Sequence, residues 1–199
     1  MEFKEIVRNR CSIRHYETKP VPEEVIQELL EMIRLSVSAM NLQPWKIKVV
    51  SDPETKEKVF AATFALEQVR VCSHALILCA DVDYPTIIAR LDRALVDTGA
   101  PADRREGMVA FATKLTTGMI PEQRLAWSRE QVHIALGNAV NGAYSLGLGA
   151  CPMTAFDPAV LGHALDLPET LVPTAIVSVG YAAEPDAPKL RHPVSDIVV

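Results

Sequence analysis

Two pairs of cationic side chains lie at opposite ends of the sequence, and each pair is spaced to share one anion. Arg10 and Arg14 flank Ser12, so two guanidinium groups and a hydroxyl fall within one helical turn or a short extended stretch. Lys189 and Arg191 are two positions apart, which places both on one side of an extended segment. Guanidinium groups and an ammonium together suit a terminal phosphate with a charge of about −2.

A segment rich in neutral hydrogen-bonding groups lies between these cations. Residues 38–45 read Ser-Ala-Met-Asn-Leu-Gln-Pro-Trp. Ser38, Asn41 and Gln43 are ordinary turn residues, but they stand between a predicted helix and a predicted strand, where a rigid scaffold commonly holds ligands. Trp45 is expected in the core. Cations for a phosphate, with amides and hydroxyls for a polyol and a flat heterocycle, indicate a site for flavin mononucleotide (FMN).

The composition limits the class of protein. The chain has 199 residues, 49% of them hydrophobic, with a mean hydropathy of +0.13, a net charge of −5 and a pI of about 5.6. This high hydrophobic fraction predicts a large subunit interface. The acidic balance argues against a nucleic-acid or anionic-membrane surface. There is no transmembrane run and no signal-peptide pattern, and four cysteines without CxxC spacing favour a reduced, cytoplasmic protein.

Apolar periodicity and capping signals predict an α+β fold with helices around a small mixed sheet. Capping signals predict helices that begin after Asp52 and Asp157, and a long helix that begins at the capping-box spacing of Ser128 and Gln131. Gly147 and Gly149 are expected to end that long helix and turn the chain. The predicted helices are 2–9, 22–35, the one after Asp52, 85–120 with a break near 99–101, 128–146 and the one after Asp157. The predicted strands are 46–50, 75–80 and 174–181, with an extended segment after Pro193.

Four segments, in order along the chain, resemble the nitroreductase family of FMN-dependent oxidoreductases. They are Arg10-x-Ser12-x-Arg14, the loop from Ser38 to Trp45, the segment from Gly147 to Asp157, and Lys189-x-Arg191. The chain departs from the family where Val37 replaces a common proline, Ala39 a frequent serine, and Thr154 and Ala155 a glutamate and a glycine. Contacts made by the backbone survive such replacements, whereas contacts made by side chains do not.

The resemblance implies a single domain over residues 1–199 with a lid at about 85–125. It implies three α/β/α layers, a small mixed but mainly antiparallel sheet, and an intertwined homodimer with FMN at the interface. Hydride from NADH or NADPH would pass to FMN and then to a nitroaromatic, quinone or related small acceptor, with ping-pong kinetics. No side chain is expected to be catalytic, because the flavin carries the chemistry.

The resemblance also implies which residues bind. The phosphate and ribityl chain would be held near both ends of the chain, the flavin would be reached by the 38–43 loop of the neighbouring subunit, and the ring would lie along residues 152–155. Phe111 is a possible substrate contact. The residues predicted to bind the cofactor are Arg10, Cys11, Ser12, Arg14, Ser38, Ala39, Asn41, Gln43, Gln68, Pro152, Met153, Thr154, Ala155, Lys189 and Arg191.

Two alternatives remain open on the same fold. One is a reductase of a single metabolite, such as an enone, a pteridine or an aldehyde, and the other is a flavin carrier without turnover. The five histidines show neither HxxxH nor HExxH spacing, so no metal site is predicted.

Overall fold

Four strands form one sheet in the order β1-β2-β4-β3 in the computed structural model, which describes residues 2–185 and 188–199. Each neighbouring pair is antiparallel, which confirms the mainly antiparallel sheet. Within the described residues, parallel pairing is limited to an isolated bridge between Ser12 and Ala150. The strands are β1 (Trp45–Val50), β2 (His74–Asp81), β3 (Gly149–Met153) and β4 (Leu171–Gly180).

Helices cover both faces of the sheet, giving the predicted α/β/α layers. Alternate residues of β2 point to opposite faces, as they must in a strand. Leu76 and Leu78 join a cluster with α2 and α7, whereas Ala75 and Ile77 join a cluster with α3 and α8. The helices are α1 (Phe3–Asn9), α2 (Glu23–Arg34), α3 (Pro53–Ala61), α4 (Gln68–Val71), α5 (Tyr84–Asp97), α6 (Ala102–Thr117), α7 (Pro121–Ser145) and α8 (Pro158–Ala164).

The structure confirms the helix caps that the sequence predicts at Asp52 and Asp157. The Asp52 side chain accepts a hydrogen bond from the Thr55 N–H at 2.8 Å, and Asp157 caps α8 in the same way. Gly147 follows α7 with a φ of +75°, a conformation that glycine adopts without strain, and turns the chain toward β3.

The predicted start of the long helix was wrong. α7 begins at Pro121, so Ser128 and Gln131 lie inside the helix rather than at its cap. Both are buried and bond to other elements instead. The Ser128 hydroxyl donates to the Asp81 carbonyl at 3.0 Å, and the Gln131 Oε1 accepts the Ala39 N–H at 2.9 Å. A spacing of three residues matches both a capping box and the buried face of a helix, and the second explanation holds here.

Further elements differ from the prediction, among them the single turn α4, which was not predicted. No local pattern indicated β3, because Gly-Ala-Cys-Pro-Met lacks β-branched residues and contains a proline, which sheets accept at an edge. The segment after Pro193 was expected to be extended, but Val194–Asp196 forms a 3₁₀ turn.

α5 and α6, with the break between them near Gly99 as predicted, pack on each other in a third apolar cluster. Leu42 from the 38–43 loop is buried in the same cluster, so this helical pair is tied to the loop. Phe111 lies on α6 with 60% of its surface exposed. The single domain with a lid at about 85–125 stays a prediction. None of the described helices is long and apolar enough to cross a membrane, and the cytoplasmic location stays a prediction.

Replacing Gly149 by alanine is expected to lower the melting temperature, because a Cβ at this position would lie 2.9 Å from Ile13 Cβ and Cγ1. The strain would push the 10–14 segment away from β3. Gly107→Ala is the matched control. Nothing lies within 4 Å of its added Cβ, and alanine stabilises an exposed helix interior by about 1 kcal/mol relative to glycine. Equal melting temperatures for the two variants would contradict the packing of Ile13 against β3.

Candidate functional site

The N-terminal cationic segment lies along the outer edge of β3. The Ile13 N–H donates to the Ala150 carbonyl at 3.1 Å, and Ser12 forms its bridge with the same residue. α1 ends just before this segment, with the Arg10 N–H donating to the Ile6 carbonyl at 2.9 Å. The backbone is therefore fixed on both sides of Arg10.

The chain that leaves β4 returns to this segment. The Glu17 N–H donates to the Tyr181 carbonyl at 2.9 Å, and the Ala183 N–H donates to the His15 carbonyl at 3.0 Å. Tyr16 bridges Ala182, and its buried hydroxyl donates to the Ile13 carbonyl at 2.7 Å. These bonds join a segment near the start of the sequence to the segment that follows β4.

Three cations meet where the two ends converge. The Lys189 Nζ donates to the Val7 carbonyl, which places it beside α1. Burial is the largest cause of the lowered pKa of Lys189, and the charges of Arg10 and Arg191 lower it further. Arg191 donates to the carbonyl of its neighbour Leu190. The structure thus brings Arg10, from one end of the sequence, beside Lys189 and Arg191 from the other.

Arg10 lacks a full set of partners. Its Nη1 is buried and bonds to none of the residues that the structure describes. A buried charged donor without a partner is costly, and here a second cation stands beside it. An anion placed among Arg10, Lys189 and Arg191 would satisfy this donor and offset the repulsion. The residues present therefore fit a phosphate group.

β3 runs parallel to the 10–14 segment, with Ser12 opposite Ala150, so that Arg14 lies toward the end of the strand. Burial raises the pKa of Cys151 overall, although Arg14, Ser12 and Gln68 all lie close enough to lower it in part. The Gln68 amide donates to the Met153 Sδ at 3.0 Å and is itself buried. Pro152 is half-buried, and Thr154 and Ala155 are exposed beyond the point where the strand ends. The Ala155 carbonyl accepts the Phe64 N–H at 3.1 Å, which holds this end in place.

The 38–43 loop has a strained backbone, with positive φ at Met40 (54°), Asn41 (54°) and Gln43 (45°). Its polar groups hold the loop itself. Ser38 Oγ accepts the Gln43 N–H at 2.9 Å, and the Gln43 side-chain amide donates to the Arg34 carbonyl at 2.7 Å. Asn41 is exposed. The sequence did not predict that Ser38 and Gln43 would be used in this way.

Within one chain, the structure does not bring this loop to the cationic cluster. The loop's hydrogen bonds to other described elements go to Arg34 on α2 and Gln131 on α7. Clefts beside it are lined by α2 and α5 residues and contain none of the cluster's cations. A site that uses both groups needs two chains.

Sequence reasoning missed Glu184. Its Oε1 accepts the N–H groups of Arg14 and His15, and its Oε2 lies 2.9 Å from the His15 Nδ1. The Arg14 N–H is the main reason that the pKa of Glu184 falls to about 2, with the His15 side chain next. A single glutamate after a strand carries no motif, so nothing in the sequence indicated it.

Three of the four cysteines are buried without disulfide partners. Burial raises the pKa of Cys72 to about 11 and that of Cys79 to about 12, and it raises the pKa of Cys151 as well. Cys11 is the one that is partly exposed. No group of three or more His, Cys, Asp or Glu that could hold a metal ion occurs among residues 2–185 and 188–199.

The chain belongs to the Nitroreductase family, whose profile matches residues 7–181. That match spans the cationic start, the 38–43 loop and β3, and it ends just after β4.

Similar proteins cover nearly the whole chain. A protein of Thermus thermophilus named NADH dehydrogenase is 36% identical over 199 residues, which are 100% of this chain and 96% of that protein. The major NAD(P)H-flavin oxidoreductase of Aliivibrio fischeri is 31% identical, over 79% of this chain and 76% of its own. A solved structure from Exiguobacterium sibiricum in complex with FMN has a TM-score of 0.91 at 23% identity, covering 100% of this chain and 97% of that one.

We expect iodoacetamide at pH 8 to alkylate Cys11 alone in the native protein. The thiolate is the reactive form, and the raised pKa values keep the three buried thiols protonated at this pH. Peptide mass spectrometry after labelling identifies the modified residue. Denaturant should expose all four thiols equally, which provides the control. Rapid native labelling of Cys72 or Cys79 would contradict their burial.

Proposed function

We propose that this protein is an FMN-dependent oxidoreductase that passes hydride from NADH or NADPH to nitroaromatic, quinone or related electron-poor acceptors. Family membership supports flavin-dependent oxidation of NAD(P)H. The single structural observation that carries the proposal is the buried Nη1 of Arg10, which has no described partner and lies in a cluster with Lys189 and Arg191. Such a group of like charges requires an anion, and FMN ends in one.

We assign the phosphate and ribityl chain to the convergence of the two chain ends. Arg10, Arg14 and Arg191 supply guanidinium groups, Lys189 an ammonium, and Ser12 a hydroxyl. Cys11 lies between two of these residues and contributes its backbone. The 10–14 segment runs parallel to β3, so a molecule anchored at Arg10 that extends toward Arg14 approaches the end of that strand.

We assign the ring of the flavin to the end of β3. Pro152 and Met153 would lie along the ring, while the exposed backbone of Thr154 and Ala155 would contact its edge. These contacts use the backbone, so they tolerate the departures from the family pattern at positions 154 and 155. The Gln68 amide, now on Met153 Sδ, lies close enough to serve the same edge. Bound FMN would supply reversible two-electron chemistry.

A homodimer completes the site in this proposal, with Ser38, Ala39, Asn41 and Gln43 supplied by the partner chain. Exposed apolar side chains support an interface around α1 and α2. Phe3 is 68% exposed and Leu35 is 62% exposed. Together with Ile6 and Met32 they line an open groove of about 300 Å³ against α7. Apolar surface of this kind is typical of obligate interfaces.

The protein's own part in the reaction is to bind the cofactor, to orient the donor and the acceptor, and to exclude water. The cations hold one end of the cofactor, and donors from the backbone face the other. We expect no protein base to be essential, because solvent can supply protons. One opening that serves donor and acceptor in turn gives ping-pong kinetics. Exposed Phe111 on α6 is placed to contact the acceptor if α5 and α6 cover that opening.

Arg10→Ala is expected to weaken FMN binding. Loss of one charge-assisted hydrogen bond costs about 1.5–3 kcal/mol, or about ten- to 150-fold in Kd. Fluorescence quenching of FMN on titration with apoprotein measures this Kd. Arg93→Ala removes an exposed charge from α5 and is the control.

The double variant Arg14→Ala with Arg191→Ala is expected to lose FMN during purification. A double variant that remains fully loaded would refute the assignment of the phosphate site.

Steady-state NADH and NADPH oxidation separates the candidate functions. We expect the FMN-loaded protein to oxidise the donor faster when nitrofurazone or menadione is added, with parallel double-reciprocal lines as ping-pong kinetics requires. Bound FMN without stimulated oxidation would instead indicate a carrier. Slow turnover with both acceptors would favour a reductase of one metabolite.

A further inference from the structure

Both carboxylate oxygens of Glu184 contact the segment near the start of the chain. Oε1 accepts the Arg14 N–H at 2.5 Å and the His15 N–H at 3.2 Å, and Oε2 lies 2.9 Å from the His15 Nδ1. The first of these bonds joins residues 170 positions apart. We call Arg14, His15 and Glu184 the Glu184 clamp.

The clamp lies between a fixed region and the cationic cluster. On one side, the Tyr16–Ala182 bridge and the bond from the Ala183 N–H to the His15 carbonyl set the register. On the other side the chain continues toward Lys189. Glu184 therefore fixes the chain just after the sheet has ended, and Lys189 and Arg191 follow it in the sequence.

We propose that Glu184 is a positioning residue for the phosphate site, an inference that rests on the proposed function. It acts through the backbone of Arg14 and through the segment that carries Lys189 and Arg191. It holds these cations in place against their mutual repulsion before the anion binds. A site organised in advance binds more tightly, because less ordering remains to be done on binding.

Coulomb's law alone predicts the opposite effect. A carboxylate near a bound phosphate repels it, so removing the negative charge of Glu184 would strengthen binding if charge were all that mattered. The chain nevertheless places a carboxylate directly on the backbone of Arg14. Positioning explains this placement, and the sign of the change in affinity separates the two effects.

The experiment compares FMN with riboflavin, which lacks the phosphate. Kd values for both flavins are measured by fluorescence quenching on the apoproteins of wild type, Glu184→Ala, Glu184→Gln and Glu17→Ala. We expect Glu184→Ala to raise the Kd for FMN on the order of tenfold, with that for riboflavin unchanged. Glu184→Gln should fall between, because its amide oxygen can still accept both N–H groups but carries no charge. Glu17 is an exposed carboxylate on the same segment, so Glu17→Ala should match wild type.

The outcomes distinguish this inference from the function on which it rests. Tighter FMN binding by Glu184→Gln would show that repulsion dominates and would overturn the inference. Equal weakening of both flavins would show general damage and would also overturn it. Equal affinity of wild type for FMN and riboflavin would overturn the phosphate site itself. If Glu184→Ala fails to fold, Glu184→Gln and His15→Ala, which removes a single bond of the clamp, decide the result.

Discussion

The convergence of like charges from the two ends of the chain is the constraint on which this site depends. Arg10, Lys189 and Arg191 repel one another, and the lowered pKa of Lys189 reflects that repulsion as well as burial. Such a cluster persists only because the backbone beneath it is held by stronger ties. Those ties are the Ser12–Ala150 bridge, the bridge between Tyr16 and Ala182, and the carboxylate of Glu184.

The edge of the sheet provides the position at which the 10–14 segment pairs. β3 is the last strand in the order β1-β2-β4-β3, so its outer side is free to accept the 10–14 segment. β4 lies next to it and delivers the C-terminal segment to the same corner. One small antiparallel sheet thus brings both ends of the sequence together and leaves Thr154 and Ala155, just after β3, exposed. The 38–43 loop lies elsewhere in the same chain, which is why the proposed site requires a second subunit.

The sequence predicted those parts of the fold that depend on local signals. Asp52 and Asp157 cap helices because the geometry of a cap involves only neighbouring residues. Ser128 misled the prediction because its hydroxyl bonds to Asp81, a partner that no local pattern can reveal. β3 escaped notice because its position at the edge, rather than its composition, makes it a strand.

The site shows the same difference between local signals and contacts that arise only in the folded chain. The spacing within each cationic pair, with Ser12 between the first two, suggested that Arg10, Arg14, Lys189 and Arg191 share one anion. Glu184 could not be found in this way, because its role arises from three bonds to one short segment and leaves no pattern in the sequence. Likewise, Ser38 and Gln43 could be recognised as polar groups in a loop, but their use in bracing that loop depends on its strained backbone.

The closing of the cationic corner by residues after β4 has a consequence for limited proteolysis. These residues follow every strand and every helix α1–α8 in the sequence. A cut just after Gly180 leaves the sheet and its helical layers intact, yet it detaches Glu184, Lys189 and Arg191 from them. Such a nick would yield a folded but empty protein.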